Sequence, residues 1–393
     1  MEHLFSERVK KLKASEIREI LKLTQRPEII SFAGGLPAPE LFPVEAYKQM
    51  AIKVLDEMGM EALQYSTTEG YDPLREKIAA RMGKCGITAE KQDILVTSGS
   101  QQGLDFTGKI FINPGDYVLC ESPSYLGAIN AFRAYECEFQ EIETDADGMV
   151  MESLELAIQE YPRAKFIYVI PDFQNPSGRT WTEKRRREVV EIANRYNLVI
   201  IEDNPYGELR YEGEAIPAIK AFDTEGRVVY LGTFSKTFSP GLRIGWVCAS
   251  PALLGKYITV KQGADLQSSS ISQRELNAYL DNYDFDAHIQ TIIETYKKRR
   301  DLMLSEMDKH FPKAAVYEVP KGGLFAWVML PDEIDAKEIM VTAVENKVAF
   351  VPGGSFFPNG GKENSMRLNF SNMPEEKIVE GIGRLGKILS ELM

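Results

Sequence analysis

The chain has 393 residues, 44% hydrophobic and 26% charged, with 46 Lys+Arg against 58 Asp+Glu for a formal net charge of −12 at pH 7. That is a globular composition with length for two domains, and its acidic balance speaks against a nucleic-acid partner, because neutralising phosphates needs a basic face. Three His (His3, His288, His310) and four Cys (Cys85, Cys120, Cys137, Cys248) without a CxxC pair leave little for His-based metal sites, Ser-His-Asp hydrolysis or a disulfide framework.

The N-terminal segment is charged and lacks the apolar stretch of a secretion signal, and no run approaches the roughly 20 apolar residues that span a bilayer. A cytoplasmic protein without a membrane partner is expected. Residues 6–23 read as an amphipathic helix, with Val9, Leu12, Ile17, Ile20 and Leu21 near helical spacing. A Gly/Pro-rich stretch covers 31–43, and a helix is expected over 44–58. Asp72 followed by Pro73 reads as a helix N-cap with proline at the first helical position. From about 93 to 250, short apolar runs alternate with helical patterns: Ile94–Thr97, Tyr117–Cys120, Phe166–Ile170, Leu198–Ile201, Val228–Leu231 and Ile244–Cys248. This alternation predicts an α/β fold with a largely parallel sheet. A long helix over 286–310, segments at 315–319 and 324–329, a helix over 335–346, a strand at 366–370 and a last helix over 375–391 predict a smaller α+β domain. The expected division is an N-terminal arm (1–45) packing on the small domain, a large domain (46–285) and the small domain (286–393).

In open α/β sheets, ligands bind beyond the carboxyl ends of strands, so the residues just after each predicted strand are the candidates. Ser98-Gly-Ser-Gln-Gln-Gly103 leads into a helix, and its small residues let backbone N–H groups face an anion, with Ser100 adding a hydroxyl. It lacks the Gly-Lys-Ser/Thr of a Walker A loop, and alone it is more often a simple turn. Tyr125 can stack on a planar ligand or simply pack. Asn175 precedes a proline, which pushes its backbone to an extended form and lets its amide point from a rigid loop; a turn-forming Asn is the competing reading. Asp203, at a strand end, is either a cap or a cation ligand, and Tyr206 lies three residues on. Lys236, set among hydroxyls and Phe residues at a buried strand end, is not placed as a snorkelling lysine, and burial would make it a nucleophilic amine. Arg243 adds a fixed positive charge suited to phosphate.

Taken together, a phosphate cradle, a stacking aromatic, Asn and Tyr donors, an Asp and a buried Lys describe one ligand, pyridoxal 5′-phosphate, which needs a Schiff-base lysine and an acidic partner for its ring nitrogen.

With these residues in place, the chain resembles the fold-type I, class I/II aminotransferases, and within them the 2-aminoadipate and kynurenine aminotransferase branch. The resemblance runs from Ala14 to the final helix. It rests on Ser31-Phe-Ala-Gly-Gly-Leu-Pro-Ala-Pro, Gln64-Tyr-Ser-Thr-Thr-Glu-Gly-Tyr71, Thr97-Ser-Gly-Ser-Gln-Gln, Gln174-Asn-Pro-Ser-Gly, Phe234-Ser-Lys-Thr-Phe-Ser-Pro-Gly-Leu-Arg243 and Val351-Pro-Gly-Gly-Ser-Phe-Phe. It implies a large domain built on a mostly parallel seven-stranded sheet between helices. It also implies a homodimer with shared active sites, and transfer of an amino group between an L-amino acid and a 2-oxo acid. The implied donors are 2-aminoadipate, glutamate, or aromatic or branched-chain amino acids, with 2-oxoglutarate as acceptor. Lys236 is implied as Schiff-base lysine and proton carrier, Asp203 as partner of the ring nitrogen, and Asn175 and Tyr206 as partners of the phenolic oxygen. Tyr125 is the implied stacking ring, and Ser100, Gln101, Ser235 and Arg243 the phosphate ligands. Thr233 stands where the family commonly has serine. Tyr65 is implied to reach the partner's phosphate across the dimer. Arg367, with the backbone at Gly35, is implied to hold the substrate α-carboxylate, and Ser15 and Arg18, one helical turn apart, to meet an acidic side chain. Two other readings stand beside this one: a lyase or racemase on the same scaffold, and the effector domain of a pyridoxal-phosphate-binding transcription regulator.

Overall fold

Six of the strands of the large sheet are apolar runs buried on both faces, the pattern of a sheet covered by helices on each side. The computed structural model describes residues 2–11 and 26–393. Its large sheet consists of β1 (Ile94–Ser98), β2 (Tyr117–Glu121), β3 (Glu138–Ile142), β4 (Ala164–Val169), β5 (Val199–Asp203), β6 (Val228–Thr233) and β7 (Ile244–Cys248), in the spatial order β1-β7-β6-β5-β4-β2-β3. β7 runs antiparallel to both neighbours, and all other pairs are parallel. Six carboxyl ends therefore open on one edge. The six predicted strands are all present. The seventh, β3, is the edge strand Glu-Phe-Gln-Glu-Ile, whose polar residues leave no continuous apolar run.

The helices are α1 (Val44–Leu63), α2 (Asp72–Met82), α3 (Ser100–Phe111), α4 (Leu126–Arg133), α5 (Met151–Glu160), α6 (Glu183–Tyr196), α7 (Pro251–Ala264), α8 (Ser270–Asn282), α9 (Phe285–His310), α10 (Ala336–Glu345) and α11 (Glu375–Leu392), besides the short Glu7–Lys11. α1 runs five residues past the expected end, with a break in helical geometry at Met58. The expected N-cap moves by one residue. Tyr71 has the extended backbone of the cap, and Asp72 lies inside the helix, where its carboxylate takes a 2.6 Å contact from the Arg75 guanidinium instead of capping.

A second, antiparallel sheet contains β8 (Val316–Tyr317), β9 (Phe325–Met329), β10 (Val351–Pro352) and β11 (Ser365–Asn369), ordered β8-β9-β11-β10. α9 leads into it and packs along α11. The N-terminal segment joins this sheet's side of the molecule: Ile30–Ser31 pairs in parallel with Val348–Ala349, and the Phe32 carbonyl accepts from the Asn369 N–H at 2.8 Å. That pairing carries Ala33–Gly35 to the edge where the large-sheet strands end. Among the described residues, no helix is long and apolar enough to cross a membrane, and no cluster of His, Cys, Asp and Glu could hold a metal ion.

Candidate active site

The register of β7 assembles one side of the site. Ile244 pairs with Ser98, and Gly245 pairs with Thr97 on one side and Thr233 on the other. The turn after β1 and the Lys236 loop after β6 are therefore neighbours. Gly245 is required here: a Cβ on it would lie 2.6 Å from the backbone carbon of Gly99 and the nitrogen of Ser100. Gly99, at φ +77°, is the N-cap of α3, and a Cβ there would sit 2.3 Å from an Arg243 terminal nitrogen. Arg243 itself adopts a left-handed backbone (φ 57°), and its guanidinium donates to the Ser98 carbonyl at 3.2 Å and the Pro240 carbonyl at 3.3 Å. Ser100 opens the helix, so its backbone N–H and its hydroxyl join an exposed guanidinium at a helix N-terminus, an arrangement made for an anion. Gln101 instead turns its amide to the Gly127 carbonyl at 2.9 Å. Thr233 and Ser235 are buried and tied to each other: the Thr233 hydroxyl donates to Ser235 Oγ at 2.8 Å and accepts from the Ser235 N–H at 3.1 Å.

Lys236 is half-buried, and its Nζ donates to the Gly35 carbonyl at 2.7 Å. Burial first, then the positive charges of Arg367 and Arg243, lower its pKa from the ordinary 10.5 to about 8. The flanking Phe234 and Phe238 pack away from it, against Trp246, Phe285 and Tyr279.

At the end of β5, Asp203 is buried. Its Oδ2 accepts from the Tyr168 hydroxyl at 2.9 Å, while its Oδ1 is buried with no hydrogen-bond partner among the described residues. Burial raises its pKa to about 7 against the opposing hydrogen bond. Tyr206, three residues on, is buried with its ring edge-on to Phe325 at 5.9 Å, and its hydroxyl accepts from Asn175 Nδ2 at 3.4 Å. Asn175, whose bond to Pro176 is cis, uses its other end too: Oδ1 accepts from Arg367 at 2.8 Å. Tyr125, at the N-cap of α4, is coupled electrostatically to Asp203, Arg367 and Arg243, and burial raises its pKa.

Arg367 sits in the middle of the small sheet, paired with Trp327 and Val351. It is buried over the rings of Phe325 (4.2 Å) and Phe356 (5.1 Å), and burial lowers its pKa to about 10. It also donates to the Ala33 carbonyl at 2.7 Å, and its Nε has no partner among the described residues. The hydrogen-bond chain Tyr206–Asn175–Arg367–Ala33 thus crosses from the large sheet through the small one to the N-terminal segment.

Lys236, Asp203, Asn175, Tyr206, Tyr125, Arg243, Ser100, Thr233, Ser235, Gly35 and Arg367 gather at this edge. Tyr65 does not join them: it is 79% exposed beyond the end of α1. Ser15 and Arg18 lie outside the described residues.

The sequence reading missed the groups that hold these loops. Asp172 is buried between Arg186, which grips it with two nitrogens at 2.8 and 3.1 Å, Arg210 at 3.0 Å and the Asn204 amide at 3.0 Å. It therefore ties the Asn175 loop to the residue after Asp203. Glu121 is buried where its carboxylate accepts from the Ile170 N–H at 3.0 Å and Trp181 Nε1 at 2.8 Å; burial raises its pKa to about 7. Tyr168 lies inside the predicted strand Phe166–Ile170. The signal available was a phenol inside that otherwise nonpolar run, which needs a polar partner once buried.

The residues fit the cofactor their types suggested: an orphaned carboxylate oxygen, a lysine shifted toward its free base and a helix N-terminus beside an arginine are gathered at one edge. Comparison with known proteins agrees. Residues 28–385 match the family described as aminotransferase class I and II. The chain is 48% identical to aromatic-amino-acid aminotransferase 1 of Thermococcus litoralis, covering 100% of this chain and 95% of that protein. It is 43% identical to 2-aminoadipate transaminase of Thermus thermophilus, over 98% of this chain and 96% of that protein. The crystal structure of Pyrococcus horikoshii kynurenine aminotransferase, in complex with PMP, KYN as substrates and KYA as products, superposes with a TM-score of 0.95 at 43% identity, covering 100% of this chain and 98% of that one.

Proposed function

Since the chain belongs to the aminotransferase class I and II family, whose chemistry rests on pyridoxal phosphate, we propose that it moves the amino group of an acidic, aromatic or branched-chain L-amino acid to 2-oxoglutarate in a ping-pong cycle. The observation that carries this reading is the chain from Tyr206 through Asn175 to Arg367, beside a low-pKa lysine and a half-partnered buried Asp.

When bound, pyridoxal phosphate supplies the carbonyl that captures an amine and a ring that accepts the electron pair released at Cα. The chain's residues do the rest. Asp203 holds the ring nitrogen protonated through its free Oδ1, and Asn175 and Tyr206 hold the phenolic oxygen. Tyr125 covers the ring face. Ser100, Thr233, Ser235 and Arg243 fix the phosphate, joined by Gln101 through its backbone N–H in the first turn of α3. Lys236, whose lowered pKa gives it a sizeable free-base fraction at neutral pH, would hold the carbonyl until the substrate amine displaces it, and its freed Nζ would take the Cα proton and return it to the cofactor carbon. Arg367 grips the substrate carboxylate with a planar fork that lysine cannot reproduce, and the Gly35 backbone closes over it. Ser15 and Arg18 meet an acidic side chain.

The active assembly in this reading is a homodimer, with the partner subunit's Tyr65 reaching the phosphate. The exposed Met60 (85%), Leu63 (73%) and Tyr65 at the end of α1 support that face as the contact. Four free thiols suit a reducing compartment such as the cytoplasm.

The test is a donor panel assayed against 2-oxoglutarate, run with the wild type and with Arg18→Ala. Turnover of 2-aminoadipate, glutamate or aromatic donors is expected, with acidic donors lost preferentially in the variant; absence of transfer from every donor refutes the reading. Mixing Tyr65→Phe and Lys236→Ala subunits tests the dimer: activity restored in mixed dimers is expected, and none refutes a shared site.

A further inference from the structure

We infer that Tyr168 is a positioning residue for amino transfer: its phenol ties down one oxygen of the Asp203 carboxylate and so reserves the other for the cofactor's ring nitrogen.

The placement follows from the sheet. In the parallel pair β4–β5, Tyr168 lies opposite Ile201, and Asp203 is two residues further along β5 on the same face. The two side chains therefore meet inside the sheet's edge, with the hydroxyl 2.9 Å from Oδ2. Both are buried, and Phe132 stands edge-on to the Tyr168 ring at 5.5 Å, which holds its orientation.

An ionised carboxylate only accepts hydrogen bonds, so the phenol must be the donor. A buried carboxylate without a donor takes up a proton, and a neutral acid holds a pyridinium poorly. Burial pushes Asp203 upward, and the Tyr168 hydrogen bond is the one influence holding it down. The other titratable groups coupled to this carboxylate are Tyr125, at the start of α4, and Tyr206, in the loop after β5. Neither donates to it among the described contacts. The unpartnered Oδ1 then has a reason to be unpartnered: the protein satisfies one oxygen and leaves its neighbour in a fixed direction.

This inference rests on the proposed function, and its test separates the two. In cofactor-free protein carrying 13C-carboxyl aspartate, Tyr168→Phe is expected to raise the Asp203 titration midpoint by about one to two pH units, the worth of one hydrogen bond to a charged group. Fluorotyrosine at position 168, a stronger donor of nearly the same shape, is expected to lower it. With 15N-labelled pyridoxal phosphate bound, Tyr168→Phe is expected to shift the ring-nitrogen resonance toward its unprotonated value and to weaken cofactor binding about tenfold. In an Asp203→Asn background the same change is expected to have no effect on either reading. An Asp203 midpoint that moves with neither phenylalanine nor fluorotyrosine overturns the inference, as does an equal loss of affinity in the Asn background. Wild-type protein that takes up no pyridoxal phosphate overturns the proposed function, while the midpoints still decide the role of Tyr168.

Discussion

In cofactor-free protein, Lys236 is expected to titrate near pH 8, well below the ordinary lysine value of 10.5. With a pKa of about 8 in place of 10.5, roughly one-tenth of Lys236 is free base at pH 7, about 300-fold more than for an ordinary lysine. Its folded-state pKa lies below the unfolded value, so this group contributes stability that grows as pH rises from about 8 towards 10.5. Competitive acylation with isotope-coded reagents between pH 6 and 11, read peptide by peptide by mass spectrometry, gives the midpoint. A lysine-containing model peptide acylated in the same mixture is the reference. Midpoints, not rates, are compared, because burial also slows the reagent. Arg367→Met removes the larger of the two like charges, and the Lys236 midpoint is expected to rise but to stay below 10.5, because burial is the leading cause of the shift. A Lys236 midpoint at the ordinary lysine value, or one indifferent to Arg367→Met, refutes the electrostatic account of this site.

Arg367→Lys loses the planar fork and the bond to Asn175, so kcat/KM for any amino donor is expected to fall by about two orders of magnitude while cofactor uptake persists; unchanged kcat/KM removes Arg367 from the substrate site. Gly99→Ala places a Cβ 2.3 Å from the Arg243 guanidinium at a backbone angle alanine resists, and cofactor titration is expected to show affinity reduced at least about tenfold. Asp172→Asn leaves Arg186 and Arg210 without a counter-charge, and urea unfolding is expected to show a loss of about 3–5 kcal/mol. Glu121, Glu202 and Asp203 all titrate near pH 7 when folded. Because these values lie above the unfolded ones, the folded state keeps their protons longer. The melting temperature of cofactor-free protein is therefore expected to fall as pH rises from 5 to 8, and Glu121→Gln to flatten that fall; a rise over the same range contradicts it.

Legibility in the sequence followed the physics of each signal. Doubly buried strands such as Val228–Leu231 announce themselves because no residue in them faces water; β3 does not, because its Glu138 is exposed and its Gln140 and Glu141 only half-buried. The residues proposed to touch cofactor stood out because they are polar groups just past apolar runs, where packing has no use for them. The supporting groups were opaque for the converse reason. Asp172 and Arg186 are fourteen positions apart and look like ordinary loop and helix charges until folding buries them together. Tyr168 is hidden by its strand neighbours, and its partner lies 35 residues away, visible only once the register of β4 and β5 is known. The N-cap at Tyr71 shows a smaller limit: a good capping residue one place inside the helix found a guanidinium instead.

The reversed strand β7 has a mechanical consequence. Because Gly245 pairs with Thr233, the stretch between them is a closed hairpin, and Lys236 and Arg243 ride on the same loop, clamped at its base. The amine's reach is thereby measured from the arginine, along a tether whose two ends cannot separate. Any shift of Ala33–Gly35 or of the small sheet would leave the backbone span from anchor to lysine unchanged. One residue inserted between 236 and 243 would lengthen the tether itself, and no adjustment elsewhere in the fold could take up the slack.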